Sequence, residues 1–288
     1  MCLNNLLYYT CFIKGSEDHL WNPREYAKFQ SERSQPFFDL MVRIRSNPNS
    51  VVDLGCGTGD LTATLISRWP SAEVVGVDSS PEMIARASVL EVPNRLTFRL
   101  IDMTAWEPVG PIDLIVSNAA LQWIPDHVNF IKKLIGWLSL KGVIAFQVPG
   151  NFDAPSHRII DFLTESPKWC PVIGENLDKP RALNSATDYV NLLAEMGFNV
   201  SAWETTYIHV LQGEDPVLEW TKGTTLRPIL KALSPRDQSE FLTEYAQLLR
   251  GAYPKTPFGT LFPFRRIFVI ASLVSDASSD PIPVMDPG

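Results

Sequence analysis

From Val51 to Val148, short apolar runs alternate with segments whose apolar residues recur at helical spacing. Val51-Val52-Asp53-Leu54 is an apolar run that stops at glycines, and Asp60–Trp69 follows with Leu61, Leu65 and Ile66 on one helical face. Glu73–Val77 reads as a second strand ending at Asp78. Ser80-Pro81-Glu82 joins an N-cap residue to a proline in the first turn, which predicts a helix over Pro81–Ala87. Further strands are predicted at Leu96–Ile101, Ile112–Ser117 and Gly142–Val148, with a helix from Asp126 to Leu138. Nearly all-apolar strands, each followed by a helix, indicate a parallel sheet covered on both faces.

After Pro149 the rhythm changes. Prolines at 155, 167, 171 and 180 divide the chain into short pieces. A helix is predicted over Thr187–Met196 with Gly197 as its cap, then a strand over Val200–Val210. A polar helix over Pro235–Arg250 and a last strand over Phe264–Val274 complete the pattern, and residues 212–262 read as an insertion over the sheet edge. The predicted class is α/β: one domain over 21–274, with a ligand-binding core at 45–150 and cap elements at 151–262.

Composition narrows the function. The net charge of −7 argues against nucleic acid or an anionic membrane as partner. Leu6–Ile13 is apolar, but too short for a membrane helix and without the basic flank of a signal peptide. Residues 1–20 are therefore read as an extension and 275–288, rich in Ser, Asp and Pro, as a disordered tail. Cysteines at 2, 11, 56 and 170 form no metal-binding or disulfide spacing, so reduced thiols, a cytoplasmic location and no metal site are expected.

The chemistry centres on Asp53-Leu54-Gly55-Cys56-Gly57-Thr58-Gly59, which follows a strand and opens a helix. Glycines there allow a tight turn and close approach of a ligand. The dinucleotide spacing G-x-G-x-x-G fails in both registers, because Asp60 and Thr62 stand where the third glycine belongs, and no Lys-Ser/Thr follows for a phosphate loop. Asp53 suits a cationic ligand such as the amino-acid part of S-adenosylmethionine (SAM). Asp78, at the second strand end, suits a ribose diol. Asp102 is placed to accept from an adenine amino group, or serves only as a turn acid; Met103 beside it could pack on the ring, and Asn118 ends the fourth strand at the same edge.

Asp53 to Gly59, with Asp78, Asp102 and Asn118 in order, resembles the class I SAM-dependent methyltransferases over about residues 45 to 150. That resemblance implies SAM as cofactor and a Rossmann-like, mostly parallel seven-stranded sheet whose last strand is antiparallel. A wider likeness spans residues 21 to 273. It rests on Trp21-Asn22-Pro23, Glu32-Arg33-Ser34, the run Ser117 to His127, Thr205 to His209, Gly223 to Pro228 and Phe264 to Phe268. These are similar to the trans-aconitate 2-methyltransferase family, which implies esterification of one carboxylate of a small polycarboxylate.

A carboxylate nucleophile is ionised at neutral pH and requires no general base; it requires cations that recognise it. Between Tyr245 and Ser275 stand Arg250, Lys255, Arg265 and Arg266 without an acid, a local positive island. Arg227 and Arg266 are the candidate substrate arginines, and Arg33 suits either the SAM carboxylate or the substrate. Tyr207 and His209 share one strand face as candidate hydrogen-bonding groups, and Trp123 and Trp21 as candidate walls. His209 is the candidate base should the acceptor be a phenol or alcohol. A different small-molecule acceptor, and a non-catalytic SAM-binding role, remain alternatives at this point.

Overall fold

The computed structural model describes residues 29–173 and 185–273. Trp21, the 1–20 extension, Pro180, Val274 and the 275–288 tail lie outside the described residues.

Strands β1 (Ser50–Leu54), β2 (Glu73–Asp78), β3 (Leu96–Leu100), β4 (Ile112–Asn118), β5 (Leu138–Pro149), β6 (Phe198–Leu211), β7 (Lys255–Thr256) and β8 (Gly259–Leu273) form one sheet. Its order is β3-β2-β1-β4-β5-β8-β6, with β7 paired to β8. β1 to β5 pair in parallel, and β8 runs antiparallel between β5 and β6. The expected seven strands are present with the last antiparallel, and the two-residue β7 adds a short hairpin arm.

Both faces are covered, as apolar strands require. One face packs under α1 (Gln30–Met41), α2 (Asp60–Arg68) and α3 (Pro81–Ala87), through Phe37, Leu40, Leu65, Ile84 and Ala87 against Val51, Leu114, Val116, Val143, Ala145 and Phe268. The other packs under α4 (His127–Ile135) and α7 (Ala186–Ala194), through Phe130, Ile131, Leu134, Tyr189 and Leu193. Local signals set several boundaries: Ser80 Oγ accepts from Met83 N at 3.3 Å, and Gly197 takes φ +83 after α7.

The cap has its own core. α5 (Pro155–Thr164), α6 (Cys170–Ile173), α8 (Pro216–Lys222), α9 (Arg227–Ala232) and α10 (Pro235–Ala252) bury Leu163, Trp169, Trp220, Ile229, Phe241 and Tyr245 together with Phe29 and Phe262. The cap is thus two pieces. Residues 186–211, inside the range expected for the cap, return to the sheet as α7 and β6. Two strands also run longer than expected. β5 begins at Leu138, because Ile112 pairs with Leu138 across an irregularity in β4. β8 begins at Gly259, because it pairs along the whole of β6. Among the described residues no helix is long and apolar enough to cross a membrane, and no group of three metal-ligating side chains occurs.

Candidate active site

The glycine loop joins β1 to α2 at the carboxyl edge of the sheet, where open α/β sheets bind ligands. Gly55 takes φ +79, and a methyl there would lie 2.3 Å from Ala120 Cβ and 3.3 Å from Met103 Cε. Gly57, at φ +56, has nothing within 4 Å of that position, so its side is open to a ligand. Asp78 fixes the loop from β2: its carboxylate accepts from Gly57 N and Ser80 N, each at 2.9 Å. Burial nevertheless raises its pKa.

Asp53 is buried at 3% exposure and accepts from Thr62 Oγ1 at 2.6 Å. Burial, aided by the nearby Asp78 charge, pushes its pKa up to about 6. Across the loop, Asn118 ends β4 with a buried Oδ1 that has no hydrogen-bond partner. Ala119 follows at φ 54, a conformation uncommon for a residue with a Cβ. Its N–H bonds to Gln147 O at 2.8 Å, which holds the strained turn.

α1 roofs this loop. Arg33, Ser34 and Phe37, one helical turn, join Asp53, Gly57 and Asn118 around a cavity of about 300 Å³. Arg33 is 6% exposed; its guanidinium carbon stands 4.9 Å from the Trp220 ring, and Nη2 donates to Trp220 O at 3.4 Å. Next to it, His209 stacks on Trp220 at 5.0 Å and on Tyr207 at 6.0 Å. Burial and the Arg266 charge press the His209 pKa down to about 4. Arg266 is itself 5% exposed, 4.2 Å from the Phe264 ring. Arg33, which lines the cavity, and the neutral His209 therefore both pack on Trp220, and Arg266 lies on the His209 side.

A methyltransferase domain family matches residues 26–202. A trans-aconitate 2-methyltransferase of Streptomyces avermitilis is 44% identical over 258 residues, 87% of this chain and 96% of its own. The Mycobacterium tuberculosis enzyme of that name is 38% identical over 88% of this chain and 97% of its own. The chain belongs to the trans-aconitate 2-methyltransferase family.

Solved structures agree on the fold. The YcgJ protein of Bacillus subtilis superposes with a TM-score of 0.51 at 15% identity, over 82% of this chain and 97% of its own. Members of this methyltransferase class take their methyl group from SAM, and the loop fits that donor. The open face of Gly57 admits close approach, and the largely buried Asp53 carboxylate lines the same cavity, where it suits SAM's amino group.

Not every residue anticipated for this trans-aconitate methyltransferase family site stands where the sequence suggested. Asp102 is exposed and spends Oδ1 on Thr104 N (2.7 Å) and Thr104 Oγ1 (2.6 Å), the turn role. The Tyr207 hydroxyl is committed to Asp39 of α1 at 2.5 Å. The positive island is dispersed. Arg250 pairs with Asp215 at 2.6 Å and Arg265 with Glu204 at 2.7 Å, both acids arriving from distant sequence. Of that island, Arg266 alone among the described residues is buried beside His209. Arg227 opens α9 on the cap, half-buried, and Trp123 closes a single turn after β4. Sequence reasoning missed Arg86, Leu90 and Cys56, which also line the cavity. Nor did it anticipate that Gln147, the polar residue of Val-Ile-Ala-Phe-Gln-Val-Pro, is buried with its amide unpartnered.

Proposed function

We propose that this chain transfers the methyl group of SAM to a carboxylate of trans-aconitate, or a close small polycarboxylate, giving a monomethyl ester and S-adenosylhomocysteine. The observation that carries the reading is a pair of buried guanidiniums, Arg33 lining the cofactor cavity against Trp220 and Arg266 close enough to His209 to lower its pKa. A buried arginine fork is suited to a carboxylate, because its N–H groups match both oxygens and its charge meets one of opposite sign.

When bound, SAM supplies an electrophilic methyl on a sulfonium. In our assignment Asp53 neutralises its amino group, Asp78 and the Gly55, Gly57 and Gly59 backbone hold the ribose side, Met103 bounds the adenine side, and Asn118 closes the cavity beside Asp53. Arg33 serves either the SAM carboxylate or the substrate. Arg266 and Arg227 hold the non-reacting carboxylates of the substrate, with Trp123 as a wall. A nucleophile already ionised at neutral pH needs no proton removed. His209, with its pKa near 4, is a poor base at that pH, which suits a carboxylate acceptor and disfavours a phenol or alcohol. SAM and a soluble tricarboxylate suit a cytoplasmic reaction.

Methyl transfer from labelled SAM to trans-aconitate, with cis-aconitate, isocitrate and citrate alongside, tests this. Selective labelling of trans-aconitate is expected. Absence of labelling on all four acids, with SAM still bound, overturns the substrate assignment.

A further inference from the structure

Gln147 is fully buried at the carboxyl end of β5, and neither Oε1 nor Nε2 has a hydrogen-bond partner. Asn151, two residues beyond the strand, is 4% exposed with both amide atoms equally unpartnered. Buried carboxamides are normally satisfied, and leaving one unpaired costs stability. Such a cost is retained where a ligand completes the bonding.

Placement says which ligand. Gln147 pairs in register with Asn118 on β4, and parallel partners place their side chains side by side on one face. That face is the one roofed by α1, since Val143 and Ala145, four and two residues before Gln147, pack there with Val116 and Phe37. Asn118 lines the cofactor cavity. On the other side Gln147 pairs with Phe268 of β8, and Arg266, two residues before Phe268, lies on the same face by strand alternation. Gln147 thus stands between the cofactor cavity and the buried arginine.

We propose that Gln147 is a substrate-binding residue that holds the reacting carboxylate of the polycarboxylate, with Asn151 as a second carboxamide at the same strand end. The proposal rests on the function proposed above. Its chemistry divides the labour among the donors. An arginine fork engages both oxygens of a carboxylate and withdraws charge from them, which suits the carboxylates that do not react. A neutral carboxamide N–H orients one oxygen and leaves the charge and a lone pair for attack. In the step itself, a carboxylate oxygen lone pair forms the new C–O bond while the sulfonium C–S pair returns to sulfur, and no proton moves.

Gln147→Met, Gln147→Glu and Asn151→Leu in the full chain test this, with wild type alongside. Three quantities are read: kcat and KM for trans-aconitate, S-adenosylhomocysteine affinity by calorimetry, and the Tm of the ligand-free protein. Gln147→Met is expected to keep or raise Tm, because an unpaired buried amide is removed, and to bind S-adenosylhomocysteine within threefold of wild type. Its kcat/KM is expected to fall by about 100-fold, and that of Gln147→Glu further, because a second carboxylate meets the first. Asn151→Leu repeats the pattern more weakly, and keeps the test open should the Gln147 variants fail to fold. Gln147→Met with wild-type kcat/KM overturns the proposal and leaves the function standing. So does a fall in activity matched by a lower Tm and lost S-adenosylhomocysteine binding, the signature of a merely structural residue. Wild type inactive on every polycarboxylate overturns both.

Discussion

Asp53 carries its charge almost wholly buried, and the consequences are measurable. Its pKa is pushed up to about 6 by burial, so the native state holds a proton that the unfolded chain has released across roughly pH 4 to 6. Its contribution to stability therefore falls as pH rises through that window. Asp53→Asn abolishes the fall, and the ligand-free variant is expected to be more stable than wild type at pH 7 by about 1–3 kcal/mol. The same variant is expected to bind SAM less tightly, since the amino group loses its counter-charge. A variant less stable than wild type at pH 7 in denaturant titration contradicts this. Two glycines separate folding from binding. Gly55→Ala adds a methyl 2.3 Å from Ala120 at positive φ, and is expected to lose about 2–4 kcal/mol of stability. Gly57→Ala enters open space at the cavity, so the loss in SAM affinity is expected to exceed the loss in Tm. Equal effects of the two substitutions on Tm would rule out that distinction.

At the scale of elements, α1 is the part that only long-range contacts hold in place. Its roof over the glycine loop is fastened by the Tyr207–Asp39 bond, which joins residues 168 apart in sequence. Tyr207→Phe is expected to cost about 1–2 kcal/mol in chemical denaturation and to weaken SAM binding, because Arg33 and Phe37 ride on the same helix. Unchanged stability and SAM affinity together would show that the latch is incidental. The capped helices were readable in advance. Ser80-Pro81-Glu82 set the start of α3, as its residues alone required. The beginning of β5 was not readable, since pairing of Leu138 with Ile112 extends the strand past the glycine where the apolar run begins. The exposed pair Arg265–Glu204 lies between β8 and β6; such surface pairs contribute little to stability.

The molecule as a whole gathers the proposed substrate site from four separate stretches: Arg33 on α1, His209 on β6, Trp220 on the cap and Arg266 on β8. Arg266→Met is expected to raise KM for trans-aconitate by about 30-fold or more while SAM affinity stays near wild type. A normal KM with stable fold counts against Arg266. Because the nucleophile is already ionised and His209 titrates near 4, log kcat/KM is expected to be level from about pH 7 to 9. It should decline below pH 6, where Asp53 takes up its proton. A steep rise between pH 7 and 9 would point to a general base after all.

The sequence by itself determined the sheet class, the glycine loop, the order of Asp53, Asp78 and Asn118, and the likeness to a methyltransferase family. These are local: a turn needing glycine, a strand end and a helix cap are specified by neighbours a few residues away. The tertiary structure decided which charged and polar groups are available. Arg250 and Arg265 are answered by Asp215 and Glu204 from other segments, Tyr207 is taken by Asp39, and Gln147 is buried with its amide unpaired. Charge neutralisation and burial are properties of what packs alongside a residue, and packing between distant segments is not written in the spacing of either one.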